Sequence, residues 1–162
     1  MSKSSISSTT TLANQHLLIG WSGLFLFLML GIALEAMHGL KLPFYLDLRN
    51  ATRRLMLTLA HTHGTLFSLV HIAFALTLTR FEALNPASLR RASKALNIAL
   101  ILMPLGFALG GIWLYGGDPG VGVFLVPFGA LALLFGVGSF LFQLRSQTRR
   151  EGKTTKPSKK SK

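Results

Sequence analysis

Three histidines lie within one long apolar stretch of the sequence, residues 54–79, and imidazole is well suited to bind a metal or to move a proton. The stretch can cross a bilayer, because about 25 residues at about 1.5 Å each exceed a hydrocarbon core of about 30 Å. A polar side chain at that depth is expected to be hidden from lipid and to have a partner. Small or polar residues recur at helical spacing on one face: His61, Gly64, Thr65, Ser68 and His71.

The spacing of the polar residues limits which metal sites are feasible. His61 and His63 cannot share a metal ion on a helix, because residues two apart point about 200° apart around its axis. His63 is then expected to face a neighbouring helix, lipid or another subunit. Glu35 and His38 have the i, i+3 spacing of di-iron carboxylate sites, but the predicted spans lack the second motif and the further glutamates that such a site needs.

A haem fits the pattern better, since haem iron needs only one proximal nitrogen ligand and an apolar slot for its ring. His61 is then the candidate iron ligand of a haem. Arg53 and Arg54 lie about two turns before His61 and are the predicted partners of the haem propionates. In the structural alternative, His61 only hydrogen-bonds Glu35 or a backbone carbonyl within the bundle.

The other histidines are expected to have structural roles. His71 lies about 15 Å from His61 along the helix axis, which is too far to ligate the same iron. His63 and His71 are therefore expected to pack against neighbours or to lie at interfaces. His16 and His38 lie near the ends of predicted helices, where contact with water is expected.

Composition excludes several kinds of site. The chain has no cysteine, which excludes disulfides, thiolate metal sites and cysteine nucleophiles. Thr65 and Ser68 have no Asp or Lys partner in their segment, so a serine hydrolase would lack its base. A two-haem electron conduit needs pairs of histidines from two helices, and no second apolar segment has a central histidine.

Four apolar segments must position these residues, and each is long enough to span a membrane. They cover residues 17–37, 55–79, 95–115 and 121–144. Half of the residues are apolar and the mean hydropathy is +0.49, which indicates an integral membrane protein. We predict an all-α four-helix bundle over residues 16–144. A polar N-terminal segment, residues 1–15, precedes it and a basic tail, residues 145–162, follows it.

The formal charge of +12 is concentrated in that tail, which holds eight of the 17 basic residues and no apolar residue. Such a tail is expected to be disordered. A basic tail directly after a membrane helix usually lies on anionic lipid, so we expect the bilayer and not a nucleic acid as its partner.

The basic residues also predict the orientation. The tail and the second connection are basic and the third connection has no Lys or Arg, so both termini are expected in the cytoplasm, at a bacterial inner membrane. The first connection, residues 38–54, argues against this orientation, because it holds four basic residues that would lie outside the cytoplasm. We expect Arg53 or Arg54 to pair with Glu35, Asp47 or an anionic group. The apolar residues of this connection predict an interfacial cap over the outer end of the bundle.

The size, the four spans and the motif AHxxG resemble a family of small membrane isomerases that includes styrene oxide isomerase and hydroxylaminobenzene mutase. A glycine-rich third span that ends in aromatics before a Pro-Gly turn, and a fourth span that begins around a proline, add to the likeness. The residues that carry it are Ala60, His61, Gly64, Gly106, Gly110, Trp113, Tyr115, Pro119, Gly120, Pro127 and Gly129.

This resemblance implies a trimer of four-helix chains, each holding haem b through His61. It further implies that ferric iron acts as a Lewis acid on an epoxide oxygen and opens the ring to a carbonyl product without net redox change. Tyr115 is the nearest match to the family's active-site tyrosine, and Gly106 and Gly110 belong to the expected cofactor site. The family's asparagine, about two turns after the histidine, falls here at Phe67.

Two other functions compete with a haem-dependent isomerase. The chain could be a non-enzymatic accessory subunit of a larger membrane complex of the respiratory type. It could also provide a proton or solute pathway along His61, Ser68 and His71 in an oligomer, although four spans without an evident inverted repeat do not favour a lone transporter.

Overall fold

The structure is a computed structural model that describes residues 3–47, 51–81 and 85–154. Its helices are α1 (Lys3–Gly39), α2 (Pro43–Leu46), α3 (Ala51–Arg80), α4 (Pro86–Ile112) and α5 (Leu125–Thr154), with a 3₁₀ turn (Val121–Phe124) before α5. Four of these helices, α1, α3, α4 and α5, are long and apolar enough to cross a membrane. The predicted all-α fold with four membrane helices is confirmed, and the chain is an integral membrane protein.

The four spans lie in chain order, so that α1 packs along α3, α3 along α4, and α4 along α5. Extended packing between α1 and α5 is absent from the described part of the chain. In the most apolar windows of α1 and α5 only 11% of residues are buried within the protein, against 39% in α3 and 44% in α4. The bundle is therefore open, with α3 and α4 inside and α1 and α5 at its edges.

Small residues set the distance between α1 and α3. An added Cβ at Gly20 would lie 2.6 Å from Cγ1 of Ile72, and one at Gly23 would lie 2.5 Å from Oγ of Ser68. Further along the same interface, towards the end of α1, a Cβ at Gly64 of α3 would overlap the ring of Phe27. Membrane helices associate through close packing of this kind, because lipid removes the hydrophobic drive that operates in water.

A second set of glycines brings α4 close to the segment that follows it. The turn after α4 has positive φ at Gly116 (58°) and Gly117 (97°), a conformation that residues with a side chain rarely adopt. The chain then returns so that the Gly120 amide donates a hydrogen bond to the Gly110 carbonyl at 2.9 Å. A Cβ at Gly106 would lie 3.0 Å from the Gly122 carbonyl oxygen, so this part of α4 faces the 3₁₀ turn and α5.

The short helix α2 forms a cap at the end of the bundle where α1 ends and α3 begins. Tyr45 of α2 is buried against Leu34 of α1 and Leu57 of α3. Arg53 of α3 fastens this cap, because its guanidinium donates hydrogen bonds to the carbonyl oxygens of Phe44 (3.0 Å) and Gly111 (3.2 Å) and lies 4.3 Å from the Phe44 ring centroid. Arg53 thus joins α2 to the end of α4.

Both polar ends are more helical than the sequence indicated. α1 begins at Lys3, within the polar segment 1–15, because Ala13 and its neighbour Leu12 pack with Leu78 and Leu89 of the central helices. α5 continues as a helix to Thr154, ten residues beyond the predicted end of the span at 144. The remainder of the tail, residues 155–162, lies outside the described residues.

We predict that Gly64→Ala destabilises the protein, since the new methyl group overpacks the α1–α3 contact at Phe27. Overpacking costs about 1–3 kcal/mol, which corresponds to a fall in melting temperature of roughly 3 °C or more. Thermal unfolding in detergent can be followed by the fluorescence of the two tryptophans. Gly138→Ala is the matched control, because a Cβ at Gly138 meets nothing within 4 Å. An equal melting temperature for the two variants would contradict the close approach of α1 and α3.

Candidate functional site

His61 is held against the backbone of α1. Its Nδ1 lies 2.7 Å from the carbonyl oxygen of Phe27, and its ring occupies the notch that Gly31 leaves, where an added Cβ would lie 2.5 Å from Cε1. The ring is half-buried, in the half of the α1–α3 interface that lies nearer to α2. The glycine of α1 is therefore what allows an imidazole to fit between these two helices.

The hydrogen bond to Phe27 determines how His61 can react. A carbonyl oxygen only accepts, so Nδ1 must carry the hydrogen, and in the neutral ring Nε2 keeps its lone pair. Nε2 has no hydrogen-bond partner among the residues that the structure describes. Histidines that bind metals typically donate their other ring N–H to a carbonyl in this way, which fixes the tautomer and the ring orientation. His61 thus has the arrangement of a ligand with one free nitrogen.

A cavity of about 380 Å³ lies beside His61, between α1 and α3 and below the cap. Its apolar wall comes from Leu28, Gly31, Ile32 and Leu34, and its polar groups are Glu35, Tyr45, Thr58 and His61. The structure thus brings Glu35 and His61 together at one cavity. Glu35 is exposed and forms no ion pair within the described residues, so its carboxylate is open to the cavity and its mouth.

Arg54 lines an adjoining cavity of about 500 Å³, and Tyr45 and Thr58 belong to the walls of both cavities. The Arg54 side chain is exposed and forms no hydrogen bond or ion pair with the described residues. Arg53 is different, because its guanidinium already donates to Phe44 and Gly111. Of the two predicted propionate partners, Arg54 is the cation that is open to a ligand near His61.

Tyr45 is the phenol that the structure places at the His61 cavity, and it was missed as a site residue from the sequence. Its side chain is only 6% exposed, and its hydroxyl lies 3.5 Å from Oγ1 of Thr58, at the long limit for a hydrogen bond. Tyr115, the tyrosine singled out by resemblance, lies in the turn after α4, where its backbone pairs with Asp118. The Tyr115 side chain is 64% exposed and does not line this cavity.

Gly106 and Gly110, the glycines assigned to the cofactor site, lie against the 3₁₀ turn and α5, away from α1. They do not line the His61 cavity. Gly31 of α1 does line it. Gly106 and Gly110 thus hold α4 close to the segment that follows it, whereas Gly31 makes room for the His61 ring.

The remaining polar residues of α3 face other neighbours. His63 points to the opposite side, where its Nδ1–H donates to the Leu59 carbonyl at 2.9 Å and its ring lies 4.9 Å from that of Phe107 in α4. Ser68 is fully buried and donates to the Gly64 carbonyl at 2.7 Å. Thr65 has a buried hydroxyl without a hydrogen-bond partner.

His38 is exposed at the end of α1, and its ring lies 6.4 Å from that of Tyr45. Within the described residues, no three His, Cys, Asp or Glu side chains are grouped closely enough to hold one metal ion. The protein alone therefore offers His61 as a single nitrogen ligand and no multidentate metal centre there.

A second polar cluster, distant from His61, joins α1, α3 and α4. His71 places its Nε2 3.0 Å from Oδ1 of Asn97, and His16 places its Nε2 2.8 Å from Oγ of Ser93. The expectation that His16 contacts water is wrong, because its side chain is fully buried. The sequence signal was the pair Ser93 and Asn97, two polar residues that stand one helical turn apart around the start of the third apolar segment and so share one face of the helix.

The two rings of this cluster lie against each other, with centroids 4.8 Å apart. A haem cannot lie between them, because its ring would have to separate the two imidazoles along the line that joins its axial ligands. His61 and His71 also belong to separate surroundings, since one faces the α1 backbone and the other faces His16 and Asn97.

Comparison of the chain with protein-family models, with curated proteins and with solved structures finds no match.

Proposed function

We propose that this membrane protein binds a haem b at the outer end of the α1–α3 interface, with His61 as its proximal ligand. The observation that carries the proposal is the hydrogen bond from Nδ1 of His61 to the Phe27 carbonyl, which leaves Nε2 as a free ligand atom. The apolar wall beside His61 suits a macrocycle, and haem iron needs no second protein ligand.

The residues around His61 fit such a group in two further respects. Haem carries anionic propionates on one edge, and Arg54, about two turns from His61, is a cation without a partner among the residues that the structure describes. The cavities beside these two residues share Tyr45 and Thr58, so a ligand with an apolar body and an anionic edge can reach both. The donor chemistry of the site therefore agrees with a haem.

The reaction that we assign to this site is a redox-neutral isomerisation of a small apolar substrate. When bound, the haem would supply a Lewis-acidic iron that polarises a substrate oxygen. The chain's own contribution is to hold the His61 ring through Phe27 and to line the cavity with apolar side chains of α1. Tyr45 can hold a proton at its Oη and Glu35 can accept one at its carboxylate, and both groups line the cavity.

We further propose that both termini lie in the cytoplasm, at a bacterial inner membrane. Four spans put both termini on one side of the membrane, and the basic residues around the second connection and after α5 support the cytoplasm as that side. The lipid-soluble character of the substrate agrees with a cavity between two membrane helices. The resemblance to membrane isomerases adds the proposal of a homo-trimer.

A second candidate is a non-enzymatic accessory subunit of a larger membrane complex. It is favoured by the edge helices α1 and α5, whose large apolar side chains are widely exposed; those of α5 include Phe128, Leu134 and Phe142. Lipid or a partner helix can cover such faces. This function predicts that the protein purifies with larger subunits and that His61→Gln leaves the isolated chain unchanged.

The haem proposal predicts that protein expressed with sufficient haem and purified in detergent shows a Soret band. His61→Gln should lose most of this band, with at least about tenfold weaker binding, because the only free imidazole nitrogen of the site is gone. His63→Gln is the matched control, since His63 lies on the same helix and faces Phe107. A wild-type protein without haem, or equal occupancy in the two variants, would refute the proposal.

Gly31→Ala tests the same site but leaves the His61 imidazole in place. The added Cβ would lie 2.5 Å from Cε1 of His61, so the ring must move away from Phe27, and we expect haem affinity to fall by about tenfold. Gly39→Ala on the same helix is the control, because a Cβ there meets nothing within 4 Å. Haem titration of both apoproteins measures the difference, and equal affinities would show that the Gly31 notch has no part in binding.

Arg54→Gln should weaken haem binding by about fivefold, which corresponds to about 1 kcal/mol for an exposed ion pair, and less at high salt. Arg80→Gln, at the other end of α3, should have no effect. If the two variants bind haem equally at low salt, Arg54 does not contact the propionates.

An assay that follows conversion of an aryl epoxide to its carbonyl isomer then tests the enzyme proposal separately from haem binding.

A further inference from the structure

We propose that His16 and His71 form a proton-binding site, separate from the His61 cavity, which takes up one proton from the water on the side of the membrane where α1 begins. His71 carries the proton and His16 stays neutral. The site lies at the junction of α1, α3 and α4, and its two imidazoles are 0% and 1% exposed. His71 is about 15 Å from His61 along α3, and the proposal does not depend on haem.

His71 is hydrogen-bonded at both ring nitrogens. Its Nδ1 lies 3.0 Å from the Phe67 carbonyl oxygen, which only accepts, so Nδ1 carries a hydrogen in every protonation state that keeps this bond. Its Nε2 lies 3.0 Å from Oδ1 of Asn97. In this arrangement both ring nitrogens face oxygen acceptors, which is the set of partners that an imidazolium requires.

Asn97 allows His71 to lose the proton again without loss of a hydrogen bond. A carboxamide presents an acceptor and a donor on the same carbon, and rotation by about 180° exchanges them. The amide oxygen accepts from Nε2–H of the charged ring, and the amide NH₂ donates to the lone pair of the neutral ring. A buried polar group that is satisfied in both states can bind and release a proton without the penalty of an unpaired atom.

His16 limits the site to one proton. Its Nε2 bonds the Ser93 hydroxyl at 2.8 Å, but its Nδ1 is buried without a hydrogen-bond partner. A charged His16 would need an acceptor at Nδ1, and none is present in the described surroundings. Its ring centroid also lies 4.8 Å from that of His71, so two charged rings would repel each other strongly in a buried site.

The groups that face the pair carry no charge of their own. Phe74 of α3 covers His16 with ring centroids 4.6 Å apart, Ser93 and Asn97 approach from α4, and α5 reaches this region through Phe140, which packs on Phe74. The basic residues of this part of α4 are exposed: Arg90, Arg91 and Lys94. The protonation of the pair is therefore governed by its own hydrogen bonds and by access to water.

A crevice brings water close to the pair, although the two rings themselves are buried. It has a volume of about 260 Å³ and lies between residues 9–15 of α1 and 86–90 of α4. Gln15, which directly precedes His16, and Leu89, one turn before Ser93, belong to its walls. Water in the crevice thus approaches the pair from the end of the molecule where α1 and α4 begin.

The test is a histidine titration by NMR on protein labelled with ¹⁵N-histidine and reconstituted in bilayers, between about pH 5 and pH 8. The five histidines are assigned by single substitutions to Gln. We expect the His71 ring to change from one protonated nitrogen to two in a single step that takes up one proton per chain. The His16 ring should keep one protonated nitrogen throughout. The titration is recorded on wild-type protein, and the substitutions serve only to assign its signals.

Asn97→Leu should abolish the doubly protonated form of His71 over the same range, because Nε2–H then has no acceptor. Thr77→Val is the matched control on α3, since the Thr77 hydroxyl is exposed and bonds only the Ala73 carbonyl of its own helix. The proposal is overturned if both rings stay neutral, if both become charged, or if Asn97→Leu titrates like wild type. Equimolar Zn²⁺ that shifts both rings and suppresses protonation would instead identify a metal site.

Discussion

The close approach of α1 to α3 is the constraint on which the rest of the structure depends. Lipid offers no hydrophobic drive for two helices to associate, so contact relies on small residues that let the backbones meet. Here the notches at Gly20, Gly23 and Gly31 of α1 receive side chains of α3, and Gly64 of α3 receives the Phe27 ring. This contact also delivers a carbonyl of α1 to the His61 ring. If the helices stood further apart, Nδ1 of His61 would lack its acceptor, the Phe27 carbonyl. The tautomer of the neutral ring, with its lone pair on Nε2, would then no longer be fixed. Packing and site chemistry are thus one feature.

The His61 site and the His16–His71 cluster both depend on the contact between α1 and the central helices. α1 is an edge helix, so it has no further helix of the described chain on its other side to hold it in place. α1 supplies the carbonyl that orients His61 and also supplies His16 of the second polar cluster, so a shift of α1 would disturb both sites. The exposed side of α1 carries many large apolar residues, among them Leu18, Phe25 and Ile32, whereas His16 is buried against α3 and α4. Arg53 holds the cap α2 in place through carbonyl oxygens of α2 and α4.

The four spans were predictable because length and hydropathy determine what can cross a bilayer, and the polar face of α3 was predictable from helical spacing. The partners of the polar residues were not, since most of them are backbone carbonyls, which carry no signal in the sequence. Arg53 or Arg54 was expected to pair with Glu35, Asp47 or an anionic group, and the structure shows Arg53 donating to the carbonyl oxygens of Phe44 and Gly111. His16 was expected in water because it lies near the end of a predicted helix, yet α1 begins as early as Lys3 and packing at Ala13 draws this end into the protein. Tyr45 could not be recognised as a site residue, because it lies in the first connection and reaches the cavity only where that connection folds into α2.

His61 and His71 occupy one helix and show how the neighbours of an imidazole decide its chemistry. Each ring donates Nδ1–H to a carbonyl, one on α1 and one on α3 itself, so both have the same tautomer in the neutral state. The difference is at Nε2. Nε2 of His61 has no hydrogen-bond partner among the described residues and its ring lines a cavity between two helices, whereas Nε2 of His71 meets the Asn97 amide. Ten residues, nearly three turns of helix, separate the two imidazoles on α3, and the helix that packs beside each ring determines what its Nε2 meets.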